Sequence, residues 1–290
     1  MTDKIWLLLS GVEQDITNLA SQSPIAQKLM EQVEIILIEK ASVKLATGKK
    51  PEIYYDGKKM ELPKMFWPAM TNTDTYVLEN ILIESGSKCV LNLNEAAVAH
   101  SKVITYARLA EHNISVPKTR VFFNRSDKAD ICAEFSYPFV IKPDTGTGGA
   151  GVALIHNEQE LEQYMDNLTY GVTYIAQEFI ATSKGRDVRV VMLNGEFLFA
   201  MLRQASNEDE FRSNVHVGGK VSAYTIDEDT LAFCKKIASL YDIPLLGIDL
   251  LFGENGFVVA EVNNFPGIRG INIQYLPVVK DKVLSSFTKE

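Results

Sequence analysis

Late in this chain two apolar runs, Ile248 to Phe252 and Val259 to Asn263, flank Gly253-Glu254-Asn255-Gly256, and that pattern admits little besides an antiparallel hairpin. The runs are interrupted by three hard oxygen donors: Asp249 in the first, Glu261 and Asn263 in the second. Strand period two puts Glu261 and Asn263 on one face, and a three-residue loop at Glu254 to Gly256 is expected to set Asp249 opposite Glu261. Two carboxylates and an amide oxygen suit Mg²⁺, which leaves its other positions to water and phosphate. The competing reading of the same residues is a pair of exposed strand acids.

The rest of the sequence bounds the choice. A chain of 290 residues, 46% apolar and 23% charged, has the composition of a protein folded throughout, with room for two or three packed modules. Its net charge of −8 argues against a nucleic-acid surface, which needs a basic excess. Cys89, Cys132 and Cys234 are odd in number and widely spaced, so neither a disulfide framework nor a zinc knuckle is expected, and a reducing cytoplasm is. The apolar run Ile5 to Leu9 is too short for a signal peptide or a spanning helix, and no membrane role is expected.

The first part of the chain alternates in the manner of a small α/β module: Ile5 to Leu9, a polar helical stretch through Leu29, Val33 to Ile38, Val77 to Glu84 and Lys88 to Leu93. Lys44 to Leu62, with Asp56-Gly57 at a turn, reads as a hairpin or surface excursion. The apolar spacing from Ala97 to His112 predicts one helix ended by Pro117. Strands are predicted at Arg120 to Phe123, Phe139 to Lys142, Val152 to Ile155, Tyr174 to Phe179, Asp187 to Leu193 and Glu196 to Arg203. Helices are predicted from Glu158 to Asn167 and, capped by Asp227, to Tyr241. Cys234 lies on the apolar stripe of the last helix with Leu231, Ala238 and Tyr241 and is read as core.

Between two strands lies Asp144-Thr145-Gly146-Thr147-Gly148-Gly149-Ala150-Gly151. No Lys follows its last glycine, so it is not a P-loop. Alone it reads as a loose hairpin tip, but Lys142 two residues ahead makes it a candidate phosphate nest beside a cation. Gln177-Glu178-Phe179-Ile180 closes a strand as a nucleotide-binding linker would, or as a strand running into solvent does. Asp187 and Arg189 share a strand face, Arg203 closes the next strand, and Phe211-Arg212-Ser213-Asn214 and Gly218-Gly219 follow. Forked guanidinium groups near an acidic cation site suit a carboxylate or a transferring phosphoryl group better than surface decoration. His216 falls in this stretch, but the four histidines have no ligand spacing.

Taken in order, these motifs resemble the ATP-grasp superfamily, and within it the RimK-like amino-acid ligases. Ser101-Lys102, Val140-Ile141-Lys142-Pro143, the loop Gly146 to Gly151, Gln177 to Ile180, Gly185-x-Asp187-x-Arg189, Phe211 to Asn214, Gly218-Gly219, Gly247-Ile248-Asp249 and Glu261-Val262-Asn263-x-x-Pro266-Gly267 carry the resemblance. It covers roughly Ala97 to Gly270 well and the first module loosely. The implied fold is α/β (α+β), an ATP-grasp fold of three modules with ATP held between two of them. Its expected divisions are residues 1–96, 97–180, a lid module, and 181–290, with the metal site.

The resemblance implies an ATP-dependent ligase that joins a carboxylate to an amine through an acylphosphate and releases ADP and phosphate. By it, Lys102 and Lys142 contact the nucleotide, Gly146, Gly148, Gly149 and Gly151 fold over the triphosphate, and Glu178 and Phe179 read adenine through the backbone. Asp187 holds the ribose, and Gln177, Ile180 and Arg189 stand among the nucleotide contacts. Asp249, Glu261 and Asn263 hold two Mg²⁺, with Mn²⁺ as a substitute, while Arg203, Arg212 and Asn214 are the catalytic group. The lysine follows Ser101 where these ligases more often carry an acid, and Asn264-Phe265 stands where a small pair is commoner. Phe265 is thus expected to reshape the acceptor pocket, and Arg269 to contact a carboxylate there. The expected partners are a small-molecule or peptide carboxylate and an amino acid such as glutamate, in a dimer or tetramer. Two other readings are a peptide-modifying ligase of natural-product biosynthesis and an ATP-binding protein without catalysis.

Overall fold

The computed structural model describes residues 2–9, 33–68, 73–146, 149–207, 210–213, 219–264 and 266. The helical stretch expected through Leu29 lies outside them. The chain divides into two compact units, one reaching to Ala97 and including Asp242–Pro244, the other running from Val98 to Tyr241 and again from Leu245.

In the first unit β1 (Ile5–Leu9), β2 (Val33–Leu37), β3 (Ala41–Lys44), β4 (Glu52–Tyr55), β5 (Lys58–Lys59), β6 (Met65–Pro68) and β7 (Lys88–Cys89) form two sheets. The order β2-β1-β6-β7 is parallel throughout, and β1 between two neighbours reads as a continuous apolar run. Trp6, Leu8, Ile36 and Phe66 are fully buried there, with Leu82 from the helix Thr73–Glu84. The excursion is a β3-β4-β5 meander, and it turns at Asp56 and Gly57, both at positive φ.

The second unit holds two antiparallel sheets. The first contains β8 (Thr119–Phe122), β9 (Phe139–Pro143), β10 (Ala153–Ile155) and β11 (Tyr174–Glu178), in the order β10-β9-β11-β8. Its core gathers Phe122, Phe139, Ile141 and Ile155 from the strands with Ile131, Leu161 and Met165 from the helices Lys128–Glu134 and Glu158–Asp166. The second contains β12 (Arg186–Leu193), β13 (Glu196–Gln204), β14 (Lys220–Ala223), β15 (Leu245–Gly253) and β16 (Gly256–Asn263), in the order β14-β13-β12-β15-β16. The helix Glu228–Ala238 packs on it; Asp227 caps the helix by accepting from the Thr230 N–H at 2.7 Å, and Cys234 and Ile237 are fully buried.

Two expectations change, and two elements appear that the sequence did not announce. The single helix from Ala97 to His112 is two, Leu93–His100 and Lys102–Glu111, because Ser101 is extended and its hydroxyl accepts from the Ile104 N–H. The helix Lys128–Glu134 and strand β14 carry no periodic signal long enough to read. The β15–β16 turn has two residues, Glu254 and Asn255, because Gly253 already pairs with Gly256. A register shift between Asp249 and Leu250 then leaves Ala260 as an extra residue and still brings Asp249 opposite Glu261.

Candidate functional site

Strand register builds a row of charge across the second sheet. Asp187 on β12 pairs with Arg203 on β13, Arg189 on β12 pairs with Asp249 on β15, and Asp249 pairs with Glu261 on β16. Directly opposed residues project to the same face, so these side chains converge. Arg203 grips Asp187 with Nε at 2.6 Å and Nη2 at 2.7 Å, and Nη2 also reaches Asp249 at 2.8 Å. Arg189 forks onto Asp249 with both bonds at 2.7 Å. The Ser213 hydroxyl donates to Asp187, and Asn263 Nδ2 lies 3.5 Å from Asp249 Oδ2.

These groups hold one another's charge. Burial opposes ionisation of Asp249, but the Arg189 and Arg203 guanidinium groups overcome it and keep its carboxyl well below the ordinary value. Burial works against the Arg203 cation as well, yet Asp249 and Asp187 raise its affinity for the proton. Burial dominates at Asp187 and pushes its carboxyl up.

The edge of the row is pinned from below. Tyr106, buried in the helix Lys102–Glu111, donates its hydroxyl to the carbonyl of the bulged Ala260 at 2.5 Å, and the Val259 N–H donates to Ser115 O at 2.9 Å. Gly247, paired with Asn263, must be glycine: a Cβ there would lie 2.5 Å from the Pro266 side chain.

Facing this row is a cleft offering about 990 Å³, its mouth included. Its lining includes Lys102, Lys142, Gly146 and Gly149, then Gln177, Glu178, Phe179 and Ile180, and Asp187, Arg203, Arg212, Asp249 and Glu261. The described loop glycines 146, 149 and 151 all have positive φ, a backbone that side chains disfavour. Lys102 Nζ stands 3.3 Å from Glu261 Oε1. Lys142 is half-buried, and burial pushes its ammonium down to about 8 against a weaker opposing pull from Glu261. Gln177 is committed to Thr119 Oγ1 at 2.9 Å, and the Phe179 ring meets the edge of Phe211. Arg212 is held by Glu210 and donates to Gly149 O at 3.3 Å, across to the glycine loop.

Three expected site residues stand behind the cleft rather than on its lining. Arg189 and Asn263 act on Asp249, and Gly151 packs on Pro143. Gly148, Asn214, His216, Gly218, Phe265, Gly267, Arg269 and Gly270 lie outside the described residues. The sequence reading passed over Tyr106, Arg186 and the Ser101–Asp144 contact described below; Arg186 lines the cleft beside Asp187, and its place in the Gly185-x-Asp187 spacing was the available signal.

Asp249, Glu261 and Asn263 share one face of one hairpin and offer only hard oxygen donors, which fits a small divalent cation. Among the described residues no three His, Cys, Asp or Glu side chains cluster as a metal site, so a third side-chain oxygen could come only from an amide or hydroxyl such as that of Asn263. A cation there shares Asp249 with the two arginines.

The four-stranded sheet with its glycine loop and the five-stranded sheet with its acidic hairpin are those of an ATP-grasp protein. The RimK-like ATP-grasp domain matches residues 99–285, and the chain belongs to that family. A probable alpha-L-glutamate ligase of Alkalilimnicola ehrlichii is 32% identical over 227 residues, covering 77% of this chain and 75% of that protein. One of Rhodopirellula baltica is 31% identical over 237 residues, covering 80% of this chain but 58% of the relative, so the chain spans little more than half of that protein's length. Among solved structures, a RimK domain ATP-grasp protein from Sphaerobacter thermophilus shares the fold with a TM-score of 0.70 at 18% identity, over 97% of this chain and 98% of that one.

Proposed function

We propose that the protein is an ATP-dependent carboxylate–amine ligase that forms an amide through an acylphosphate, releases ADP and phosphate, and adds an amino acid such as glutamate to a small molecule or peptide. The observation carrying this reading is the cleft itself, where two lysines and a glycine loop face an Arg–Asp row ending at an acidic strand pair. The relatives named alpha-L-glutamate ligase support the choice of amino acid.

In this reading Lys102 and Lys142 bind the nucleotide phosphates and the loop from Gly146 to Gly151 covers them, while Glu178 and Phe179 meet the adenine. Mg²⁺, held by Asp249, Glu261 and Asn263, neutralises phosphate charge when bound; two ions are proposed. Arg203 faces the transferring phosphoryl group and then the oxyanion, and Arg212 neutralises charge beside it. Asp187 is read as the ribose contact from its place in the motif, and its bonds from Arg203 to both oxygens and from Ser213 to one support a further part in aiming Arg203. Phosphoryl transfer demands positioning and charge more than a protein nucleophile, and the described cleft lining is rich in Lys and Arg and contains no Cys or His. Closure of the loop excludes water from the acylphosphate.

The three-module division at residues 97 and 181, a dimer or tetramer, and a cytoplasmic setting belong to the same proposal. All three described cysteines are free, and no described helix is long and apolar enough to cross a membrane. The test is purified protein with Mg-ATP and a panel of amino acids and peptides. ADP, phosphate and an amide product are expected; AMP and pyrophosphate would overturn the mechanism.

A further inference from the structure

The break at Ser101 is held by Asp144, the residue just past β9 and 43 positions along the chain. Ser101 Oγ donates to Asp144 at 2.8 Å while accepting from the Ile104 N–H at 3.1 Å, and the Val103 N–H donates to Asp144 Oδ1 at 2.8 Å. The Asp144 carbonyl accepts from Lys102 Nζ at 3.1 Å, and its own N–H donates to Thr173 O at 2.9 Å. Asp144 therefore touches three consecutive residues at the start of the helix Lys102–Glu111, with its side chain capping that helix and its backbone holding the lysine head. It is also the residue between β9, which carries Lys142, and the glycine loop.

Ser101 and Lys102 are both buried, so the bonds to Asp144 are made out of bulk solvent. A carboxylate accepting from a helix N–H is a charge-assisted bond at the positive end of a helix. Lys102 Nζ then lies between the Asp144 carbonyl and Glu261 Oε1, 3.1 and 3.3 Å away.

From this geometry we propose that Asp144 is a positioning residue for nucleotide binding: it locks the Lys102 helix to the root of the glycine loop, so that the Lys102 ammonium and the start of the loop at Thr145 and Gly146 are presented to the phosphates together. The inference rests on the nucleotide reading of the cleft. Without the carboxylate only the Asp144 carbonyl still joins the loop root to the helix start, at Lys102, and binding must order what the side chain had held.

The experiment is Mg-ATP titration of the full chain by calorimetry, with unfolding temperature measured alongside. Asp144→Ala is expected to weaken binding about tenfold, the scale of one lost charge-assisted hydrogen bond. In a Lys102→Met background the same substitution is expected to change binding less than about twofold, because Asp144 acts through Lys102. Moving the carboxylate to the cap, as Ser101→Asp with Asp144→Ser, is expected to recover most of the affinity, since Asp is a favourable N-cap. Wild-type binding in Asp144→Ala, an undiminished effect in the Lys102→Met background, or an exchange variant as weak as Asp144→Ala would each overturn the proposal. If Asp144→Ala does not fold, Asp144→Asn, which keeps the shape and removes the charge, takes its place with the same expectations. A wild-type protein that binds no Mg-ATP would instead overturn the nucleotide reading.

Discussion

Asp249 on β15 faces Glu261 on β16 although the turn joining their strands is one residue too short to place them so. From the turn, Gly253 pairs with Gly256 and Leu250 with Val259; continued without a shift, the register would set Asp249 against Ala260 and send Glu261 to the other face. Ala260 absorbs the difference as a bulge, and Tyr106 holds its carbonyl. Tyr106→Phe is therefore expected to cost about 1–2 kcal/mol, a lost buried hydrogen bond with its acceptor left behind. Urea unfolding of the two proteins checks it, and equal stability would show that the hydroxyl does not hold the bulge.

Glu261 is the less buried of the two carboxylates, with its side chain 29% exposed. Glu261→Gln keeps its shape and should leave the unfolding temperature nearly unchanged. ADP release is expected to fall on the order of a hundredfold or more, as when charge stabilisation is withdrawn from a preorganised site. A wild-type rate in that variant would refute the cation assignment.

The Arg–Asp row makes a stability prediction. Arg203→Ala leaves Asp187 and Asp249 buried without their shared cation, expected to cost about 3–5 kcal/mol. Arg203→Lys keeps the charge but loses the fork, so it should rescue stability in part and catalysis little. Chemical denaturation and single-turnover assays on both variants separate these effects.

The same row sets a response to acid. Because the Asp249 carboxyl is held below its ordinary value of 3.8, its stabilising contribution is present above that value and is lost as pH falls through the folded-state value. Arg189→Ala removes one of its two guanidinium partners, raises the folded-state value, and should move the acid-unfolding midpoint to higher pH. Circular dichroism from pH 7 downward tests this, and coincident midpoints would show that Arg203 alone fixes the ionisation.

How much of this was legible follows from where the information sits. The Asp249–Glu261 pairing was expected from a three-residue loop and arises instead from a two-residue turn and the Ala260 bulge, whereas the shared faces of Asp187 and Arg189 and of Glu261 and Asn263 could be read because alternation is local to a strand. Which arginine meets which aspartate could not, because it depends on the register of β12 against two other strands. The Ser101 break was hidden inside an otherwise continuous apolar spacing, and its partner Asp144 is 43 residues away. Lys128–Glu134 and Lys220–Ala223 were missed because seven and four residues are too few to show a period. Cys234 was read correctly as core for the opposite reason: a full helical stripe surrounds it.

Thiol chemistry should therefore discriminate. Burial pushes the Cys234 thiol up to about 12, and Cys132 is exposed. Alkylation of the folded protein at neutral pH is expected to modify Cys132, with ligase activity retained, and to reach Cys234 only after unfolding. Peptide mass mapping reads both outcomes, and rapid labelling of Cys234 would contradict its place in the core.

Nucleotide affinity should depend on alkaline pH through Lys142. Its ammonium is pushed down to about 8 by burial, from an ordinary 10.5, so between those values the folded protein binds fewer protons than the unfolded chain. That contribution disfavours folding below about 8 and is relieved as pH rises towards 10.5. Phosphate binding acts the other way, because it favours the charged amine. Mg-ATP affinity should accordingly weaken as pH rises through about 8, by up to about tenfold per unit, with a proton taken up on binding at pH 8.5. Calorimetry in buffers of different ionisation enthalpy measures that proton directly. Lys142→Arg, whose side chain stays charged throughout, should bind with no such uptake; an unchanged proton count would place the titrating group elsewhere in the cleft.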